Sequence, residues 1–447
     1  MKKEEKPEKV EKPAPVISPA LQAMLAEQRV LLGGKDLYSV RDAAKMVVGI
    51  ELPAFSLMYL CGSNIIPFSK IIMFAGPPQS YKSALMYFFQ GMIATAPPGD
   101  GNALLVETEG GKYSVTLIRS LMTPLVTDNI LQLVTVPTVE EAQNKITQTL
   151  KLYDNPKFKN VPTAIGLDSL TGNVTDEKYK QIDKEGHAEQ DYARTAILWS
   201  DYLRKVSSTL VGLPVILFVT NHLKDKIGAR IPGQKTTPGG QGQYFHSTLY
   251  FYITKTGGSE RKTYMLNGER LDREQRIRSI EVQCKKSSWG EDGVKVAVDM
   301  VWYFNERDEQ VTYFDWETST VELLLAHQTK VKASNPKVKL SDLCDITVQR
   351  SSNLTLYKSE RMKLEDVESH ELGAAIHADK ALMGELMELF HIPKYRVWDG
   401  KMPDATKLSK LSDPQLQQPS APPVLPSAER AEPTEPSKGG IGFFDPK

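Results

Sequence analysis

Residues 76–83 read GPPQSYKS and follow directly on the apolar run IIMFA. A loop that cradles phosphate has the pattern G-x-x-x-x-G-K-[ST], in which backbone N–H groups and the N-terminus of the following helix meet the phosphate oxygens. In that pattern the lysine reaches the terminal phosphates and the hydroxyl ligates Mg²⁺. Gly76, Pro77, Pro78, Gln79, Ser80, Lys82 and Ser83 fit it, with Ala84 next in the following helix also facing the phosphates, and Tyr81 stands where the second glycine belongs. The residue before the lysine need contribute only its N–H and an accessible backbone conformation, so a large side chain there can point away from the phosphates. The alternative is a strand-to-helix turn with no ligand.

Three other stretches carry groups that such a loop would need. AIGLD (164–168) places Asp168 at the end of an apolar strand, where a carboxylate can hold a metal ion's hydration shell. ALLVETEGG ends another strand in Glu107 and Glu109, and a carboxylate there can orient and deprotonate water. PVILFVT leads into Asn221 and His222, then into about twenty residues rich in Gly, Lys and Thr, a length at which loops are usually functional or disordered. Taken singly, these are equally a helix cap, a solvated loop acid and a surface loop.

These groups need a scaffold. From about 70 to 305 apolar runs without alternation (71–75, 103–107, 164–168, 214–220 and 249–254) are separated by amphipathic segments best seen at 83–95, 138–153 and 190–210. That order predicts an α/β fold, a mostly parallel twisted sheet covered by helices on both faces. The expected organisation is a Lys/Glu/Pro tail (1–17), an N-terminal segment (18–60) with a helix at 18–32, a core (61–305), a smaller C-terminal domain (306–410) and a Pro-rich tail (411–447). Neither tail has enough to bury to offset its ordering entropy.

Composition narrows the class. The 447 residues carry 55 Lys plus Arg against 55 Asp plus Glu, so an anionic partner must be met by local patches. Cys61, Cys284 and Cys344 are three, far apart and without metal-ligand spacing, which argues against a disulfide framework or a zinc site. No apolar run of about 18 residues and no signal-like start appear, so a soluble cytoplasmic protein is expected.

Together the motifs resemble the RecA family of DNA strand-exchange proteins, and within it the phage UvsX-like branch, over about residues 18–305. ETEG (107–110) is similar to the family's D-T-E-G, LDS (167–169) to its V-D-S, and TNHLKDKIG followed by TTPGG to its N-Q-x-x-x-K-I-G and T-x-G-G. GPPQSYKS is similar to the G-P-S-K-S-F-K-S of phage members, which also carry Asn-His at the position of Asn221-His222.

The resemblance implies ATP and Mg²⁺ as cofactors, with Lys82, Glu109 and His222 catalytic and Ser83 and Asp168 on the metal. It implies that Lys285 and Lys286 reach the ATP of an adjacent subunit, and that the helix at 18–32 docks on a neighbour. Two loops should face DNA, at about 173–190 and about 225–244. In the second, Lys226, Arg230, Lys235, Thr236, Thr237, Gly239 and Gly240 suit phosphate contact; the first reads equally as a solvated polar loop. With so few charges per subunit, affinity must come from many copies along one strand, hence a helical filament on single-stranded DNA that pairs with double-stranded DNA. The apolar tip GGIGFFDPK is either a docking peptide for a single-strand-binding or replication protein or a frayed end. A hexameric helicase on the same core and a non-catalytic recombination accessory protein are the competing readings, and a phage protein would work in its host's cytoplasm.

Overall fold

The strand Lys70–Gly76 is apolar on both sides. Ile72 and Phe74 enter one buried cluster, and Ile71, Met73 and Ala75 enter another. A strand buried on both faces requires a layer against each, which the flanking helices supply.

The structure, a computed structural model, describes residues 23–24, 27–28, 44–98, 101–185, 192–225, 235–238, 242–262, 265–266, 269–270, 275–305, 307–334, 346–350 and 355–403. The chain divides into two units, residues 1–37 with 405–447 and residues 38–404, and the sheets and the helices packed on them belong to the second. The helix expected at 18–32 is described only at residues 23–24 and 27–28, which are helical. Both tails and the apolar tip lie outside the described residues.

In chain order the strands are β1 (Val48–Glu51), β2 (Ile65–Pro67), β3 (Lys70–Gly76), β4 (Asn102–Glu107), β5 (Leu131–Thr135), β6 (Thr163–Asp168) and β7 (Val215–His222). There follow the short pair β8 (Lys224–Asp225) and β9 (Lys235–Thr236), then β10 (Leu249–Lys262), the pair β11 (Met265–Leu266) and β12 (Glu269–Arg270), β13 (Gln275–Ser287), β14 (Lys295–Phe304) and β15 (Gln310–Phe314). Nine strands form one sheet in the order β15-β14-β13-β10-β3-β7-β6-β4-β5. The six from β10 to β5 are parallel, and β13, β14 and β15 extend the sheet antiparallel. The fold is therefore α/β with a large, mostly parallel mixed sheet, as the run order predicts.

Helices Lys82–Ala94 and Val115–Asn129 cover one face, and Val139–Lys151 and Tyr192–Thr209 the other. Their starts are written locally: the Ser114 hydroxyl accepts the Leu117 N–H, and Thr138 accepts that of Glu141. The edge strand β5, not expected from the sequence, is a short LQLVT whose residues are all at least partly exposed, so it carries no continuous buried run. Residues 173–190, expected to be a loop, instead contain the helix Asp176–Glu185. Its acids Asp176 and Glu177 in the first turn and Lys184 in the last suit the helix dipole, a signal that the polar composition obscured.

Beyond the main sheet, β16 (Ile346–Arg350), β17 (Thr355–Ser359) and β18 (Leu364–Val367) form a small antiparallel sheet, with helices Ser369–Ala378 and Lys380–Leu389 after it. β19 (Arg396–Val397) then returns to pair with β1. The helix Phe55–Cys61 is buried under these late elements. Phe55 and Tyr59 meet Phe390 edge-on, and the Ser56 hydroxyl donates to the Trp316 carbonyl on the helix Trp316–Ser334.

Candidate active site

The parallel strands end together. Gly76 pairs with His222, Glu107 with Asp168, and Leu167 with Val219, so β3, β7, β6 and β4 deliver the predicted groups in a row along one edge. Such an edge, at the carboxyl ends of strands whose order departs from the chain order, is where open α/β sheets bind ligands.

Gly76 has no room for a side chain, because a Cβ would lie 2.3 Å from Ser80 Oγ and 2.4 Å from the Ile253 carbonyl. The loop then turns through two left-handed residues, Gln79 (φ 58°) and Tyr81 (φ 66°, ψ 25°), and Tyr81 is the N-cap of the helix Lys82–Ala94. This explains the glycine of the ordinary pattern: position 81 needs positive φ, where a residue with a Cβ costs about 1–2 kcal/mol. The helix is fixed beneath the loop by the stacked rings of Phe74, Phe89 and Phe218. It is also fixed by Gln90, whose amide donates to the Leu104 carbonyl and lies against Gly166, where a Cβ would be 2.8 Å from it.

Lys82 is buried and donates from Nζ to the Pro77 carbonyl at 2.9 Å, folded back into the loop. Burial lowers its pKa, an effect that Asp168 and Glu109 oppose. Asp168 accepts from Thr220 Oγ1 at 2.5 Å, from the Tyr87 hydroxyl at 3.3 Å and from Ser83. Burial nonetheless raises its pKa. The Ser83 hydroxyl and the Asp168 carboxylate are hard oxygen donors of the kind Mg²⁺ takes, so the residues present fit that ion.

The two glutamates of ETEG divide their roles. Glu107 is buried and accepts the backbone N–H groups of Glu109 (2.7 Å) and Gly111 (2.9 Å), which shapes the turn. Glu109 faces the cleft, where its Oε1 lies 2.9 Å from Ser169 Oγ and 3.0 Å from His222 Nε2. The hydrogen bond with His222 is the main cause holding its pKa down at about 2. His222 Nδ1 is buried and without a partner among the described residues. Between the loop and the strand ends lies an open cleft of about 730 Å³, lined by Lys82, Ser83, Glu109, Asp168 and His222.

The cleft also gathers residues that no sequence motif signalled: Tyr87, Lys112, Tyr113, Lys255 and Arg278. Tyr87 sits five residues after Lys82, a spacing that becomes meaningful only once the helix is seen to lie over Asp168. Lys255 and Arg278 come from β10 and β13, which pair antiparallel to each other, outside the phosphate-loop frame.

The other predicted residues lie elsewhere. Lys285 and Lys286 are not among the residues lining this cleft. Lys286 Nζ donates to the carbonyls of Tyr244 and Phe245 at the end of the helix Gly242–His246, and Lys285 lies over the Tyr252 ring. Lys226, Arg230, Gly239 and Gly240 lie outside the described residues, and of Lys235 and Thr236 only the backbone is described, as β9. Thr237 is joined to the strand-end row: Asn221 Nδ2 donates to Gln243 Oε1 (2.6 Å) and to the Pro238 carbonyl (2.8 Å), and Gln243 Nε2 donates to Thr237 Oγ1 (3.0 Å). A buried amide pair thus ties the end of β7 to the base of the Gly- and Lys-rich loop.

The chain is distantly similar to curated RecA proteins. It is 26% identical over 215 residues to that of Chloroherpeton thalassium, covering 48% of this chain and 55% of the relative. It is 28% identical over 216 residues to that of Chlorobaculum tepidum (48% and 57%), and 24% identical over 241 residues to that of Rubrobacter xylanophilus (54% and 65%). It therefore spans little more than half the length of the first two relatives. No family model matches the chain. The α/β architecture is consistent with a RecA-like core, and no described helix is long and apolar enough to cross a membrane.

Proposed function

We propose that this chain is an ATP-dependent DNA strand-exchange protein of the RecA type, of the phage UvsX-like branch. In this reading it forms a helical filament on single-stranded DNA and pairs it with a homologous duplex. The observation that carries the reading is the row of strand ends, which brings Lys82, Ser83, Asp168, Glu109 and His222 to one cleft and ties that row through Asn221 and Gln243 to the base of the TTPGG loop.

In this reading the loop amides and Lys82 hold the β- and γ-phosphates, and Lys82 leaves the Pro77 carbonyl to do so. Ser83 and Asp168 hold Mg²⁺, which when bound supplies positive charge against the phosphate oxygens. Glu109, ionised and anchored by Ser169 and His222, orients the attacking water. A carboxyl with a pKa near 2 is a poor proton acceptor at neutral pH, so positioning outweighs base strength here. His222 lines the cleft and donates from Nε2 to Glu109; moving that donor to a bound phosphate would pull on Asn221 and on the loop beyond it. Lys285 and Lys286 act on the ATP of the next subunit, residues 18–60 dock that subunit, residues 61–305 form the ATPase core, and the Gly- and Lys-rich loop grips DNA. The apolar tip docks a single-strand-binding or replication protein.

Filaments viewed by electron microscopy on single-stranded DNA with ATP, together with joint-molecule formation, test this reading. Continuous helical filaments that yield joint molecules support it. Hexameric rings would show a helicase, and an absence of nucleotide turnover an accessory protein.

A further inference from the structure

Tyr81, Lys255 and Arg278 take no part in the chemistry of Lys82, Asp168 and Glu109, yet all three line the same cleft. Lys255 lies on β10 three residues past Tyr252, the last of its residues paired with β3, so the strand there projects beyond the parallel sheet and past the phosphate loop. Its Nζ lies 5.6 Å from the centre of the Tyr81 ring, a cation–π contact. The neighbouring strand β13 carries Arg278 opposite Ser259, and the register shifts between Lys255 and Ser259. Such a bulge re-aims the side chains beside it. Arg278 Nε is shut off from water and has no hydrogen-bond partner among the described residues. A buried N–H left without an acceptor is costly, and an oxygen acceptor brought to the guanidinium would relieve it.

We infer that Lys255 and Arg278 bind the phosphates of the nucleotide from within the same chain, with Tyr81 as the positioning residue that holds the Lys255 ammonium over the loop. The inference rests on the nucleotide reading of the cleft and adds cations that the phosphate-loop pattern does not contain. The guanidinium fork matches phosphate oxygens, while Tyr113 and Leu117 give the cleft the apolar surface that suits a base. It also gives the aromatic residue at position 81 a use: the backbone strain at positive φ is tolerated because the ring is a platform for a phosphate-binding lysine.

The experiment is equilibrium binding of a fluorescent ATP analogue to the full chain and its variants, each checked for an unchanged thermal melt. Arg278→Ala is expected to weaken binding by about tenfold or more, with Arg278→Lys recovering only part of it. Lys255→Ala and Tyr81→Leu should each weaken binding severalfold, and the double variant should be no weaker than Lys255→Ala alone, while Tyr81→Phe, which keeps the ring, binds as wild type. Wild-type affinity in both Arg278→Ala and Lys255→Ala, with binding lost in Lys82→Ala, would overturn the inference and leave the nucleotide reading standing. A wild-type protein that binds no nucleotide would overturn both.

Discussion

A carboxylate works as a base only if its pKa lies near the working pH, and Glu109, held at about 2 chiefly by His222, is far below it. Glu109→Gln should therefore bind nucleotide nearly as wild type, since the amide keeps the shape and the contact to Ser169, but should lower the hydrolysis rate about a hundredfold or more because the water is no longer drawn to a negative charge. Single-turnover kinetics alongside a binding titration separate the two effects; a variant that loses binding in proportion to rate would show that Glu109 shapes the loop instead. The depressed pKa also fixes the sign of its stability effect. The favourable contacts of the carboxylate are complete above the ordinary range near 4.3 and are lost as pH falls towards 2. Asp168 has the opposite sign, because burial raises its pKa and the ionised form is disfavoured when no cation is near. Asp168→Asn is expected to melt at a higher temperature than wild type in the absence of divalent ions and to lose Mg²⁺-dependent hydrolysis. A lower melting temperature would mean that the charge is well compensated by Thr220 and Ser83.

At the scale of elements, the parallel strands other than β5 were legible because each is an unbroken apolar run, and the strand-end acids because each follows such a run. β13, β14 and β15 were not separated from the rest by pattern alone, and the 173–190 stretch hid a helix because its apolar positions are few and exposed, among them Tyr179 and Ile182. The Asn221–Gln243 bridge could not be read from sequence at all, since nothing in the spacing of two amides 22 residues apart says that they meet. Gln243→Leu should leave nucleotide binding intact and reduce DNA stimulation of ATPase about fivefold or more, the size of a modest coupling energy. Stimulation equal to wild type would show that the bridge only fixes the loop base. A second element-scale effect concerns the helix Ser369–Ala378. His377 Nε2 accepts the Phe55 N–H at 3.2 Å and lies 3.0 Å from Thr320 Oγ1, and burial lowers its pKa to about 4. The unfolded chain takes up this proton first, so the folded state loses roughly 3 kcal/mol as pH falls from about 6.5 to about 4. His370 on the same helix is raised by its hydrogen bond to Asp315 and acts in the other direction, its contribution being lost as pH rises. Urea unfolding at neutral and acid pH should show a smaller acid loss in His377→Gln than in wild type; an equal loss would place the sensitivity elsewhere.

For the whole molecule, a net charge of zero gives a single copy no overall basic field, so in the proposed reading a polynucleotide is met by local patches and affinity is shared along an array. ATP turnover should then depend on assembly, rising with single-stranded DNA and falling steeply as protein is diluted. The most direct measurement is ATP hydrolysis by the full chain with and without single-stranded DNA, set beside Lys82→Ala. The account predicts hydrolysis that needs Mg²⁺, is stimulated severalfold or more by single-stranded DNA, and is absent in Lys82→Ala. Hydrolysis indifferent to DNA, or equal turnover in Lys82→Ala, would contradict it.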